Sequence, residues 1–98
     1  MSFDFHPEAE LEFFEAIAYY DRNREDLGLE FAREIFSTIN RIVRFPTAYP
    51  AISNQHRRCL VKRFPYGIIY EIIGDEIFIL VVMHLSRDNE YWKTRLMP

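Results

Sequence analysis

"YGIIYEIIGDEIFILVVMHL", Tyr66 to Leu85, is the stretch that decides the fold. Runs of β-branched and ring side chains stand on either side of Gly74 and Asp75. A Gly-Asp pair between such runs signals a tight hairpin, with the glycine supplying the positive φ the turn needs. The second run, Ile77 to Met83, is seven unbroken apolar residues. A strand that is apolar on both faces belongs inside a sheet, not at its edge. Such a run is also far short of the ~20 residues that span a bilayer.

Upstream, "RRCLVKRF" (Arg57 to Phe64) reads as a further strand. Alternation puts Arg58, Leu60, Lys62 and Phe64 on one face and Arg57, Cys59, Val61 and Arg63 on the other. Neither face is cleanly apolar, which suits a position near the sheet edge. Before it, "FPTAYP" (Phe45 to Pro50) ends helical structure with its prolines, and the segment through Gln55 is a loop. Farther back, Phe13, Phe14, Ile17, Ala18 and Tyr20 recur at helical spacing, which predicts a helix over roughly 7–25. Pro7 opens it, where a missing N–H costs nothing, and Glu8, Glu10 and Glu12 suit its dipole. Gly28 marks a break, after which a second helix runs to about Phe45. Its buried stripe is Ala32, Ile35, Phe36, Ile39, Ile42 and Val43. "SFDFH" (Ser2 to His6) is a short alternating strand, and "NEYWKTRL" at the other end forms a short helical turn.

The order is therefore β-α-α-β-β-β with a short C-terminal helix. Helices and strands are segregated, so the class is α+β: an antiparallel helix hairpin packed on a small, mostly antiparallel sheet. The basic residues Arg57, Arg58, Lys62 and Arg63, with the tail, are expected on the face the helices leave uncovered.

A chain of 98 residues is one domain, 1–98, large enough for a single core. With 49% apolar residues, nine Phe and six Tyr, that core is rich in rings. Cys59 is alone, so neither an intramolecular disulfide nor a thiolate metal cage is available. His6, His56 and His84 have no metal-ligand spacing, and no phosphate loop, nucleophile elbow or zinc-protease pair occurs, so no cofactor or metal is expected. No signal peptide pattern opens the chain, and a soluble, cytoplasmic protein is expected. The net charge of −3 divides unevenly. Residues 1–50 carry five Lys/Arg against ten Asp/Glu, whereas residues 51–98 carry seven against five. Nucleic-acid binders show a strong basic face, and here the basic patch is only local, so direct binding is not favoured.

The chemistry-bearing residues gather near "VVMHLSRDNEYW" (Val81 to Trp92). Arg87 and Tyr91 are four apart and share a face if the tail is helical. An Arg can stabilise developing phosphorane charge and a Tyr can pass a proton or stack on a base. The plainer alternative is packing, with Tyr91 and Trp92 folded over Met83 and Leu85 and Arg87 paired with Asp88 or Glu90. His84, at the strand end, is either a hydrogen-bonded, half-buried histidine or a catalyst.

The blocks "HPEAELEFFEAIAYYD", "LGLEFAREI", "FPTAYP", "RRCLVKRFPYGIIYEI" and "MHLSRDNEYWKTR" together resemble the RelE/ParE superfamily of type II toxins, in its plasmid-stabilisation branch. The resemblance runs from His6 to about Arg95. It implies a growth-arresting toxin partnered by an antitoxin from the same operon, with operator DNA reached only through that antitoxin. It also implies one of two targets: the ribosome, where mRNA is cleaved, or DNA gyrase, which is poisoned without hydrolysis. The nuclease branch uses basic residues on the middle strands and an Arg and a Tyr near the C-terminus. Arg63, His84, Arg87 and Tyr91 are the corresponding candidates, but the arginine expected after the middle-strand Tyr falls on Gly67. Gyrase poisoning is therefore the expectation. The alternatives are a RelE-like ribosome-dependent endonuclease and a non-toxic, antitoxin-binding module.

Overall fold

The computed structural model describes residues 1–96. Its sheet contains β1 (Ser2–Phe5), β2 (Arg57–Leu60), β3 (Tyr66–Ile73) and β4 (Glu76–His84), in the spatial order β1-β4-β3-β2. The apolar run sits inside the sheet as β4, with β1 parallel on one side and β3 antiparallel on the other. The β3–β4 hairpin closes at Ile73↔Glu76, with Gly74 at φ 61. Pairing jumps from Ile69↔Val81 to Tyr70↔Ile79, leaving Leu80 as an extra residue on β4. This bulge turns both Leu80 and Val81 to the same face.

β1 runs straight into α1 (Pro7–Asn23). His6 serves as the cap, its Nδ1 accepting the Glu8 N–H at 3.0 Å, and Pro7 takes the first helical position. α2 (Leu27–Arg44) returns antiparallel to α1, with Tyr20 against Phe31 and Phe13 against Phe36. The break expected at Gly28 lies earlier. Asp26 takes the left-handed conformation at φ 64, and Gly28 is already inside the first turn of α2. Gly28 is needed for helix crossing. A Cβ there would stand 2.5 Å from both the Ile17 carbonyl oxygen and Asp21 Oδ1, and its N–H donates to Asp21 Oδ1 at 2.8 Å.

The main core fills the space between the helix pair and the sheet, centred on Phe13, Phe31, Ile35, Ile39, Ile68, Tyr70, Ile77 and Ile79. A chain of rings, Tyr20–Phe31–Tyr66, extends it at centroid spacings of 5.1 and 4.8 Å, with Phe64 5.2 Å from Phe31. The opposite face of the sheet is also apolar. Ile69, Leu80, Val81 and Met83 pack under Trp92, which is 3% exposed, and Tyr91, both from a C-terminal 3₁₀ turn (Tyr91–Leu96). The sheet is thus covered on both sides. The strand expected over Arg57 to Phe64 ends at Leu60, and the chain then bends through Arg63 at φ 71 into the hairpin with β3. Among the described residues no helix is long and apolar enough to cross a membrane.

Candidate functional site

β4 ends at His84, where the chain folds back on itself. His84 Nδ1 accepts the Ser86 N–H at 3.1 Å and lies 2.8 Å from Ser86 Oγ, while the Arg87 N–H donates to the His84 carbonyl at 3.1 Å. The Tyr66 ring stacks edge-on against the imidazole at 5.3 Å. Between this turn and α1 lies a cavity of about 190 Å³, lined by Glu12, Glu15, Ala16, Tyr19, Tyr66, Val82, Met83, His84 and Arg87. His84 and Arg87, candidates from the sequence, meet here. Burial, then the charges of Tyr20, Tyr19 and Glu12, push the Tyr66 phenol up to about 12.

Tyr91 stands behind the cavity wall. Its hydroxyl donates to Glu12 Oε2 at 2.5 Å, and the Arg87 guanidinium lies 3.7 Å above its ring. Burial first, and the Glu12 carboxylate second, hold the phenol well above its ordinary value. The Arg87–Tyr91 pair is therefore real in space, but Arg87 binds the ring face and the hydroxyl is already committed. Tyr91 and Trp92 fold over Met83, as the packing alternative expected, while Arg87 stacks instead of pairing with Asp88 or Glu90.

Glu12 is the hub. Beyond Phe5 the chain leaves the sheet for α1, so β4 loses its partner on that side. Glu12 Oε1 then accepts the Val82 N–H at 3.1 Å, and Arg95 Nη1 donates to the Leu80 carbonyl at 2.9 Å. Arg95 also grips Glu12 at 2.9 Å (Oε1) and 2.7 Å (Oε2), and its Nε lies 3.1 Å from Glu8. An ion pair thus continues the ladder where β1 stops. The Arg95 side chain is 7% exposed; burial alone would lower its pKa, and the bonds and charge of Glu12 outweigh that and raise it.

The four basic residues of the 57–63 segment do not form one patch. Arg57 sits opposite Tyr70 on the helix side and donates to the Tyr49 and Thr47 carbonyls at 2.8 and 3.3 Å. Arg58 points to the other face, opposite Ile69. Lys62 is exposed. Arg63 reaches α2, pairing with Glu30 at 2.7 Å and Glu34 at 3.6 Å. The hydrogen bond from Arg63, above all, lowers the Glu30 carboxyl. The expectation of cations gathered on the uncovered face is therefore corrected. β-alternation separates Arg57 from Arg58, the positive φ redirects Arg63, and apolar residues and the 3₁₀ turn occupy that face.

One relation softens the loss of a cation at Gly67. A Cβ at that position would be in ordinary van der Waals contact with the Arg58 stem at 3.4 Å (Cδ) and 3.5 Å (Cγ) and with Leu85 at 3.4 Å, so Arg58 runs beside Gly67. Glu12, Tyr66 and Arg95 were absent from the candidates. In the sequence Glu12 reads only as helix-dipole chemistry, and the one local signal for Arg95 is its i,i+4 spacing from Tyr91. Among the described residues no group of three or more His, Cys, Asp or Glu could hold a metal ion.

An antiparallel helix pair on a β1-β4-β3-β2 sheet, with polar side chains converging at the end of the central strand, is the architecture of the RelE/ParE superfamily of type II toxins. Sequence comparison narrows the class. Residues 3–89 match the family described as the ParE toxin of the type II toxin-antitoxin system parDE, and the chain belongs to that family. Among solved structures it is similar to a chain of the chromosomal ParDE TA system from P. aeruginosa, with a TM-score of 0.75 and 17% identity over 86% of this chain and 95% of that one. A likeness at that identity speaks for the fold alone. No curated protein sequence matches the chain.

Proposed function

We propose that this ParE-family toxin arrests growth by acting on DNA gyrase, and that a cognate antitoxin from the same operon neutralises it. One observation carries the choice of target. The Tyr91 hydroxyl, the proton-transfer group a nuclease of this superfamily would use, is spent on Glu12, and burial with the Glu12 carboxylate holds its phenol above the ordinary value. Two further points agree with it. Gly67 carries no cation, and Arg63, which could have replaced it, is paired with Glu30 and Glu34 on α2. Membership of the ParE family supports the same reading.

RNA cleavage has one observation in its favour, the Arg58 stem running beside Gly67. Induction of the chain in a bacterium, with and without its operon neighbour, separates the readings. Arrest relieved by the neighbour, with linear DNA trapped on gyrase, is the expected result. Arrest with cut mRNA on translating ribosomes would replace gyrase by the ribosome. Unaffected growth with a tight complex would leave a non-toxic, antitoxin-binding module.

A further inference from the structure

β3 runs past the start of its neighbour. In the β2–β3 register Arg57 stands opposite Tyr70, so His56 falls beside Glu71 and Gln55 would face Ile72. The chain instead turns away at His56, whose carbonyl accepts the Ile52 N–H at 2.9 Å, and Ala51 bridges back to Arg57. Between this turn and the uncovered end of β3 lies a cavity of about 300 Å³, bordered by Ser53, His56, Arg57, Tyr70, Glu71 and Ile72. It shares no lining residue with the cavity at His84 and Arg87.

His56 is only 4% exposed, and its Nε2 has no hydrogen-bond partner. Its Nδ1 lies 2.7 Å from Ser53 Oγ, while Nε2 faces Glu71 Oε1 at 3.8 Å. A proton on Nε2 would draw ring and carboxylate into contact. The gap, beyond hydrogen-bond reach, therefore assigns the proton to Nδ1, which donates it to Ser53. Nε2 and Glu71 are left as two acceptors with no donor between them, and a buried acceptor left unpaired is costly.

The missing group must send hydrogens to two points 3.8 Å apart. One nitrogen about 2.9 Å from each acceptor does so with diverging N–H bonds. A guanidinium fork, whose N–H bonds run parallel, is matched instead to the two oxygens of one carboxylate. The charge of Glu71 selects a cation over a neutral amide. We propose that this cavity binds a small primary alkylammonium, its nitrogen bridging His56 Nε2 and Glu71 and its apolar chain lying against Ile72.

The other charged groups near the imidazole are committed elsewhere. Arg57 turns to the helix side and donates to the Tyr49 and Thr47 carbonyls, and the Tyr70 hydroxyl donates to the Pro46 carbonyl at 2.6 Å. From the tail, the Trp92 ring meets the imidazole edge-on at 5.3 Å. Arg58, Glu90 and Lys93 line a separate cleft with Trp92, and Glu90 and Lys93 pair with each other. Glu71 is thus the charge that His56 faces directly. A second proton on His56 would supply that carboxylate from within and displace the amine. Imidazoles change charge between about pH 5 and 8, so the ligand is held at the upper end and released at the lower.

The test titrates the full chain with n-butylammonium chloride at constant ionic strength. Trp92 is the single tryptophan, so its fluorescence reports on the imidazole packed against it. At about pH 8 a saturable fluorescence change and a rise in melting temperature are expected. Tetramethylammonium, which carries the charge without an N–H, and n-butanol, which lacks the charge, should produce neither. Glu71→Gln should weaken binding about tenfold or more, with its own melting temperature little changed. Lowering the unaltered protein to about pH 5 should release the ligand. An equal response to tetramethylammonium overturns the proposal, and so does normal binding by Glu71→Gln. Tighter binding at the lower pH would assign the cavity to anions and overturn it too, and the absence of any saturable response would leave the gap to water. The pH and tetramethylammonium comparisons need no variant, so they decide the matter even if Glu71→Gln fails to fold.

Discussion

Glu12 and Arg95 are separated by 83 residues in sequence and meet through paired hydrogen bonds of 2.7 and 2.9 Å. Each also satisfies a β4 backbone group, Glu12 the Val82 N–H and Arg95 the Leu80 carbonyl. The pair therefore joins the first helix, the central strand and the last turn. Removing one partner of a buried ion pair leaves an uncompensated charge, at a cost of about 3–5 kcal/mol. Arg95→Met is expected to lose on the order of 3 kcal/mol, and Glu12→Gln, which keeps the bond to Val82 possible, somewhat less. The double variant should cost less than the sum of the singles. Urea denaturation of all four proteins as a double-mutant cycle checks it, and strict additivity would contradict the coupling.

Tyr91→Phe separates packing from catalysis. The ring, its contact with Arg87 and its place over the sheet survive, and only the bond to Glu12 is lost. Stability is expected to fall by about 1 kcal/mol, since Glu12 keeps its other donors. Growth arrest should stay within a factor of about three of wild type, because in the gyrase reading the hydroxyl passes no proton. Abolished arrest in a variant that melts normally would restore the nuclease.

Gly28→Ala should destabilise the fold although alanine is the better helix former. Propensity would gain about 1 kcal/mol. Against this, the new methyl falls 2.5 Å from the Ile17 carbonyl, which is backbone and cannot swing away. Overpacking of this kind costs ~1–3 kcal/mol or more, so the net change should be destabilising by about 1–2 kcal/mol. A lower denaturation midpoint checks the sign.

High pH should unfold the protein through its tyrosines. The phenols of Tyr66 and Tyr70 are pushed by burial, above all, from 10.0 up to about 12, and Tyr91 goes higher still. A folded-state pKa above the unfolded value contributes stability that is complete below pH 10 and drains away as pH rises through the folded values. The denaturation midpoint is therefore expected to hold to about pH 10 and to decline steeply between there and about 12. Phenolate absorbance should show these tyrosines ionising together with unfolding; early, smooth ionisation in a folded chain would contradict their burial.

The hairpin, the helix pair and the interior place of β4 were all legible, because period and turn chemistry are local. Gly74 and the apolar run of Ile77 to Met83 need no distant partner to be read. Gly28 misled by the same local logic: glycine signals both a helix break and a close helix crossing, and only Ile17 and Asp21 decide between them. Arg63 was assigned to a strand face by alternation, which a single positive φ undoes. The site was half visible. Arg87 and Tyr91 share a face, as their spacing suggests, but the carboxylate that occupies Tyr91 comes from α1, and nothing in the local sequence announces a contact across so many residues. Gly67 looks like a lost charge in the sequence, whereas the neighbouring strand brings the Arg58 stem alongside it.

The pairing of Ser2 with Glu76 and the closure of Glu12 on Arg95 also fix when this fold can be completed. β1 must wait for nearly the whole sheet to be synthesised, and the last tie waits for residue 95. Assembly from the N-terminus onward can raise the helix pair early, but it cannot close the molecule while the ribosome still holds the C-terminal segment. Closure of the fold therefore follows the emergence of residue 95, while the helix pair emerges first.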